Sequence, residues 1–384
     1  PDLTAKAART AASNAGAKVV KTFAYEISGS EQQEIYDINP DLVLLCGGTD
    51  GGNKEVIISN AKHLVAIDRP FTTIVAGNKS ANDDIKAIFN EAGKDVVITE
   101  NVMPQFNKLN IEPARDAIRQ LFISRIIEAK GLNILQAMTP YKIIPTPLAV
   151  LHACELLSKG TKTQQGRGDL LAVDIGGATT DVYSMASGEP TVDNTMLKGL
   201  PEPWMKRTVE GDLGMRYSLT HVYEQIPGAD NPENEYMQQV KAWVELCTAR
   251  PDTLAAPGSE EEKLEEFLGR SAVSMAVERH CGRIADVFTP LGLMHTQEGK
   301  DLMNVPSVIG IGGVLRNSRR PEEILKGSLY DFMHPECTKP RKPKFYLDQK
   351  YIFASMGLLR SINPELAFEL LDKETVEIGC NATV

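Results

Sequence analysis

The sequence predicts an α/β protein of two domains, and three observations carry that reading. The chain has 384 residues, more than the roughly 250–300 at which a single core stops growing. From Thr4 to about Asn101, helical periods alternate with short apolar runs, and strands separated by helices of that length imply a parallel sheet. Further on, two glycine-rich bends each follow an apolar run, at Asp174–Asp181 and at Gly310–Gly313.

In the N-terminal part the apolar runs Val19–Ala24, Leu42–Cys46, Thr73–Ala76 and Val96–Ile98 read as strands, and Thr4–Asn14, Lys54–Leu64 and Asn82–Ala92 read as helices. A longer amphipathic helix follows, with Ile118, Leu121, Phe122, Ile126 and Ile127 on one face. Pro145-Thr146-Pro147 opens the helix Leu148–Leu157, with proline in the tolerated first turn. Lys159–Gly168, rich in Lys, Thr, Gln and Gly, reads as the linker, so the first lobe is expected over residues 1–160 and the second over 161–384. Within the second, strand Leu170–Val173 leads into the first bend, a helical insertion runs from about 217 to 300, and a terminal helix spans about Gln349 to Leu371.

Composition excludes several functions. Apolar residues at 42% and charged residues at 24% are those of a folded globular protein. A net charge of −10 and a pI near 5.3 leave no basic stripe for a phosphate backbone, so nucleic acid is not an expected partner. Six cysteines without a C-x-x-C pair read as reduced thiols, and no long apolar stretch suggests a membrane span, so a cytoplasmic protein is expected. The six histidines show no metal-ligand spacing; His280-Cys281 and His334-Pro-Glu-Cys337 come nearest.

The strongest chemical signal is Leu170-Leu-Ala-Val-Asp174-Ile-Gly176-Gly177-Ala-Thr179-Thr180-Asp181. Glycines remove the Cβ atoms that keep a polyanion away from backbone, and successive N–H groups with the hydroxyls of Thr179 and Thr180 suit phosphates. Asp174 at a strand end suits a magnesium ion held through water, since that ion keeps most of its hydration shell. Asp181 completes the pair of carboxylates bracketing the bend.

The second signal is Val308-Ile-Gly310-Ile-Gly312-Gly313-Val-Leu315-Arg316. Leu315 stands where a dinucleotide fingerprint requires Gly or Ala, so nicotinamide and flavin cofactors are disfavoured. No Gly-x-x-x-x-Gly-Lys-Ser/Thr loop occurs either. Three further segments admit a ligand-binding and a purely structural reading equally: Gly47-Gly48-Thr49-Asp50-Gly51-Gly52-Asn53, Ala76-Gly77-Asn78-Lys79 and Glu210-Gly211-Asp212-Leu213-Gly214-Met215-Arg216.

In order and strand context the two glycine bends resemble the second phosphate motif and the adenosine motif of the actin, hexokinase and heat-shock chaperone superfamily. With Gly47–Asn53, Glu100-Asn-Val-Met-Pro104 and Val209–Arg216 they look like the GlmL/MutL family found beside glutamate mutase and related aminomutases. That resemblance implies a two-lobed actin-like ATPase (ribonuclease H-like) fold. It also implies an ATP-dependent chaperone that exchanges damaged for intact cofactor on adenosylcobalamin-dependent mutase subunits, with ATP and Mg2+ as its cofactors. Asp174 and Asp181 take the catalytic positions, Asp174 faces magnesium through water, Gly176, Gly177, Thr179 and Thr180 face phosphate, and Gly310, Gly312 and Gly313 face adenosine. Full-length members carry an earlier first phosphate motif, and no such segment precedes Thr4. The expectation is therefore a truncated first lobe, with ATPase activity belonging to the full-length protein. The competing functions on the same fold are a small-molecule kinase, for which no catalytic base announces itself, and an actin-like scaffold. The sequence sets no oligomeric state.

Overall fold

The computed structural model of the protein describes residues 2–15, 17, 19–106, 108–129, 138–141, 143–199, 202–229, 231–290 and 292–380. Two compact units emerge, Pro1–Pro145 with Gly199–Pro201, and Thr146–Lys198 with Glu202–Val384.

The first unit is a parallel sheet of β1 (Leu42–Leu45), β2 (Thr72–Val75) and β3 (Val96–Ile98) in the order β1-β2-β3. Among the described residues five helices accompany it: α1 (Asp2–Asn14), α2 (Gly29–Ile38), α3 (Glu55–Val65), α4 (Asn82–Glu91) and α5 (Glu112–Ala129). Every residue of β2 is buried, as a central strand covered on both faces must be. Val75 points to a core with Ile57, Leu64, Ile85 and Phe89 of α3 and α4, and Ile74 to the other side with Ala12 of α1 and Ile118 of α5. The side chains expected to continue the α5 face, Phe122, Ile126 and Ile127, lie outside the described residues.

Two expectations fail here. Residues 19–24 pair with no strand among the described residues, and Val20 is 64% exposed, because an apolar run becomes a strand only where a sheet edge receives it. Helix α2 was not expected; it buries only Ile35 and starts on a capping box in which Ser28 and Glu31 satisfy each other's backbone N–H.

The second unit begins at α6 (Thr146–Lys159), not after it, so the boundary falls earlier than the polar segment suggested. That segment is a turn inside the second unit: Gly160 bridges Gln165, and the hydroxyls of Thr161 and Thr163 both donate to Glu365. The main sheet comprises β4 (Leu170–Ile175), β5 (Thr180–Met185), β7 (Met205–Glu210), β10 (Ser307–Ile311), β11 (Lys344–Asp348) and β12 (Thr375–Cys380). Its order is β12-β11-β10-β4-β5-β7, with β4, β5 and β7 antiparallel and β4, β10 and β11 parallel. A smaller sheet, β6-β9-β8, joins β6 (Thr195–Lys198), β8 (Arg283–Thr289) and β9 (Gly292–Glu298).

Helices α7 (Leu219–Glu224), α8 (Glu235–Ala249) and α9 (Glu260–His280) form the expected insertion, but it ends at His280. Beyond it β8 and β9 pair as a hairpin, joined where Gly292 adopts φ +115°. Short α10 (Gly313–Asn317) and α11 (Pro321–Leu325) follow β10. The terminal helix is two helices, α12 (Phe353–Leu359) and α13 (Pro364–Glu374), because Pro364 cannot continue a helix and Asn363 caps the next one. Leu268, Ala272, Val273 and Ala276 of α9 pack on Leu171, Val173 and Val182, while α6 packs against β4 and β5. Among the described residues no helix is long and apolar enough to cross a membrane.

Helix α12 lies hard against α6: a Cβ on Gly357 would stand 1.8 Å from the carbonyl oxygen of Ala149. Gly357→Ala is expected to cost about 1–3 kcal/mol, the range for overpacking a close-packed contact. Urea denaturation of the two proteins side by side measures it, and equal midpoints would show that the helices separate freely.

Candidate functional site

Strands β4 and β10 run parallel in a register that pairs Val308 with Leu171 and Ile311 with Asp174. Both therefore end at the same sheet edge, where β4 turns into β5 and β10 into α10. The two glycine bends are neighbours as a result. Gly312 adopts φ +101°, and a Cβ there would come within 2.4 Å of the Ile175 carbonyl oxygen and 2.8 Å of Asp174 Oδ1. Only glycine leaves that carboxylate its space.

The first bend closes on itself through Gly176 N donating to the Thr179 carbonyl at 2.9 Å. From the other side, the amides of Met215, Arg216 and Tyr217 donate to the carbonyls of Gly176 and Gly177 at 2.8–3.0 Å. With its carbonyls held this way, the N–H groups of Gly177, Ala178 and Thr179 have no acceptor among the described residues. Three successive free amides beside a bare backbone form an anion-accepting surface.

Three carboxylates surround it. Asp174 is partly buried, Asp181 is 7% exposed and Asp348, the last residue of β11, is 1% exposed. Asp181 is paired with Arg207 of β7, whose Nε donates at 2.8 Å. Burial raises the Asp181 carboxyl above its ordinary range, and the Arg207 guanidinium opposes the rise. Burial also pushes Asp174 up to about 7, helped by the negative charges of Asp181 and Asp348 and opposed by Arg207. Asp348 is raised by burial, while the backbone amides of Ile352 and Phe353, each donating at 3.0 Å, favour its charged form. Two arginines face the three acids, Arg207 acting on Asp174 and Asp181 and Arg316 on Asp348, so the edge has room for positive charge.

The remaining predicted residues divide by surroundings. The Thr179 hydroxyl is partly open and donates to Asp181 Oδ2 at 3.4 Å. Thr180 is fully buried and its hydroxyl donates to the Leu213 carbonyl, so that group serves sheet packing. Gly310 abuts Leu315 and Leu325 in the interior, whereas a Cβ on Gly313 would meet little. Glu210 and Asp212 both bind Arg279 of α9, and Arg216 binds Glu265 of the same helix, so that segment is fastened to α9. His280 lies between the hydroxyls of Ser184 and Thr208.

In the first unit the segments Gly47–Asn53, Ala76–Lys79 and Glu100–Pro104 meet at the carboxyl ends of β1, β2 and β3. Asn78, fully buried, accepts from Gly51 N and donates to the carbonyls of Gly52 and Asn53. Asn101 donates to the Gly48 carbonyl and to Asp50.

Sequence reading missed Arg207 and Asp348. Arg207 carried no local signal, since its role depends on β7 lying beside β5. Asp348 had one: Phe345-Tyr-Leu-Asp348 repeats the pattern of an apolar strand ending on aspartate seen in Leu170–Asp174.

Comparison with known proteins agrees over nearly the whole chain. The family model described as MutL protein matches residues 1–375. Protein MutL of Clostridium tetanomorphum is 45% identical over 381 residues, covering 98% of this chain and 82% of that protein. Identity of that extent, together with the family match, makes the chain a member of the MutL protein family.

Proposed function

We propose that the second unit binds ATP with magnesium at the edge where β4 and β10 end. On this reading the protein is an ATP-dependent reactivating chaperone for an adenosylcobalamin-dependent mutase, glutamate mutase or a related aminomutase, and exchanges damaged for intact cofactor. The observation that carries the nucleotide half is the Ile311–Asp174 register, which sets three free amides, a carboxylate and a Cβ-excluding glycine side by side. The sheet supports an actin-like, ribonuclease H-like reading of this unit, because an antiparallel meander bearing one bend is continued by two parallel strands, the nearer bearing the other. The partner half rests on family membership.

In this reading the amides of Gly177, Ala178 and Thr179 and the Thr179 hydroxyl hold phosphate oxygens, while Gly312 and Gly313 let adenosine approach backbone. Asp174 holds hydrated magnesium. An ion of this kind is bound through one or two carboxylates, water and substrate phosphates. Magnesium supplies positive charge that the phosphate chain and the acidic edge both need. Asp181, fixed by Arg207, keeps its carboxylate at the bend and accepts from Thr179.

Three outcomes are expected. Calorimetry should show ATP uptake that depends on magnesium, and Asp174→Asn should weaken it about tenfold or more while the protein stays folded; equal uptake by both proteins would remove Asp174 from the site. A mutase inactivated with a cobalamin analogue should regain activity on adding this protein with ATP and magnesium, and no recovery would refute the chaperone role.

The third outcome concerns pH. The Asp174 carboxyl titrates near 7 in the folded protein against 3.8 for the ordinary group, so the folded state holds its proton more tightly. Its contribution to stability is therefore favourable at low pH and is lost as pH rises from about 4 to about 7. Asp174→Asn should flatten that part of the stability curve. Magnesium, which needs the carboxylate, should bind more tightly as pH rises through about 7, with proton release seen in buffers of different ionisation enthalpy.

A further inference from the structure

The turn after β11 holds Tyr351 at φ +57°, the left-handed region that a side chain bearing a Cβ avoids. Asparagine offsets such a conformation through local hydrogen bonds, but a phenol ring has none to offer. Burial does not compensate either, since Tyr351 is 56% exposed.

The conformation is imposed from outside. Tyr351 N donates to the Asp348 carbonyl at 3.3 Å, and the Asp348 carboxylate takes the next two amides, of Ile352 and Phe353. Phe353 is buried, and Arg316 of α10 donates through Nε to the Gln349 carbonyl at 3.2 Å. The turn is thus tied to Asp348 on one side and to the helix after Gly312-Gly313 on the other. Strained residues that surrounding structure over-determines gather at ligand sites, and this one stands at the edge already described: β11 adjoins β10, which adjoins β4. Partial burial raises the Tyr351 hydroxyl above its ordinary range, the charges of Asp174 and Asp348 add to the rise, and Arg316 opposes it.

We propose that Tyr351 is a nucleotide-positioning residue, held in a strained turn so that its hydroxyl donates a hydrogen bond to an oxygen of the phosphate chain. This rests on the nucleotide reading above and adds a residue that neither glycine motif contains. The test uses the whole chain with ATP and magnesium, and adenosine as the ligand without phosphate. Tyr351→Phe should weaken ATP about tenfold, the effect of one hydrogen bond to a charged acceptor, and leave adenosine unchanged. Tyr351→Asn, which tolerates the left-handed region, should bind ATP as weakly as the Phe variant yet melt about 2–4 °C higher.

A purely structural tyrosine gives the reverse pattern, with melting temperature lowered and ATP affinity intact, and that pattern overturns the inference. So does Tyr351→Phe binding ATP as the parent does, or losing ATP and adenosine in equal proportion. A parent protein that takes up no ATP overturns the nucleotide reading and this inference with it.

Discussion

The parallel pairing of β10 with β4 is the constraint on which the candidate site depends. A parallel neighbour ends at the same edge as its partner, so the register that sets Ile311 opposite Asp174 also sets the turn of one strand against the turn of the other. A slip by one residue would reverse which side chains face the core and separate Gly312 from the carboxylate it accommodates. The burial of Val308, Leu171 and Val173 beneath α9 resists that slip, which makes an ordinary hydrophobic contact the guardian of a polar arrangement.

Charge at this edge is arranged to be incomplete. Burying Asp181 without Arg207 would leave an ionised group in low dielectric, and the ion pair removes that difficulty. Among the described residues Asp174 has no such partner, and burial pushes its carboxyl up to about 7. Asp348 spends its oxygens on two amides. The three acids thus differ in their surroundings: one is bound to a strand neighbour, one shapes a turn, and one has no ion-pair partner among the described residues. Beneath them, on the same face of the strand pair, the hydroxyl of Tyr183 is buried with no partner among the described residues.

Much of this was legible in the sequence, and the residues show why. The parallel sheet of the first unit was visible because β1, β2 and β3 are continuous apolar runs with helical periods between them. The bends at Gly176–Thr179 and Gly312–Gly313 were visible because paired glycines directly follow an apolar run at both, with hydroxyl residues beside the first pair. Strands β8 and β9 were hidden because exposure does not follow residue type there, with Phe288 outside and Gln297 inside, so no alternation of apolar and polar residues marked them. Strand β12 pairs with β11 in antiparallel fashion after α13, a long-range partnership that no local pattern records. Thr180 was grouped with Thr179 by adjacency, yet successive residues of a strand face opposite ways, which sends one hydroxyl to the bend and the other to Leu213.

The two asparagines of the first unit have a mechanical consequence. Asn78 and Asn101 fasten three separate crossovers to one another, so displacing any of them means rupturing amide contacts that belong to the other two. That carboxyl rim should yield as a single plate, and deuterium entering the amides around Gly51 should therefore follow one shared rate instead of three independent ones.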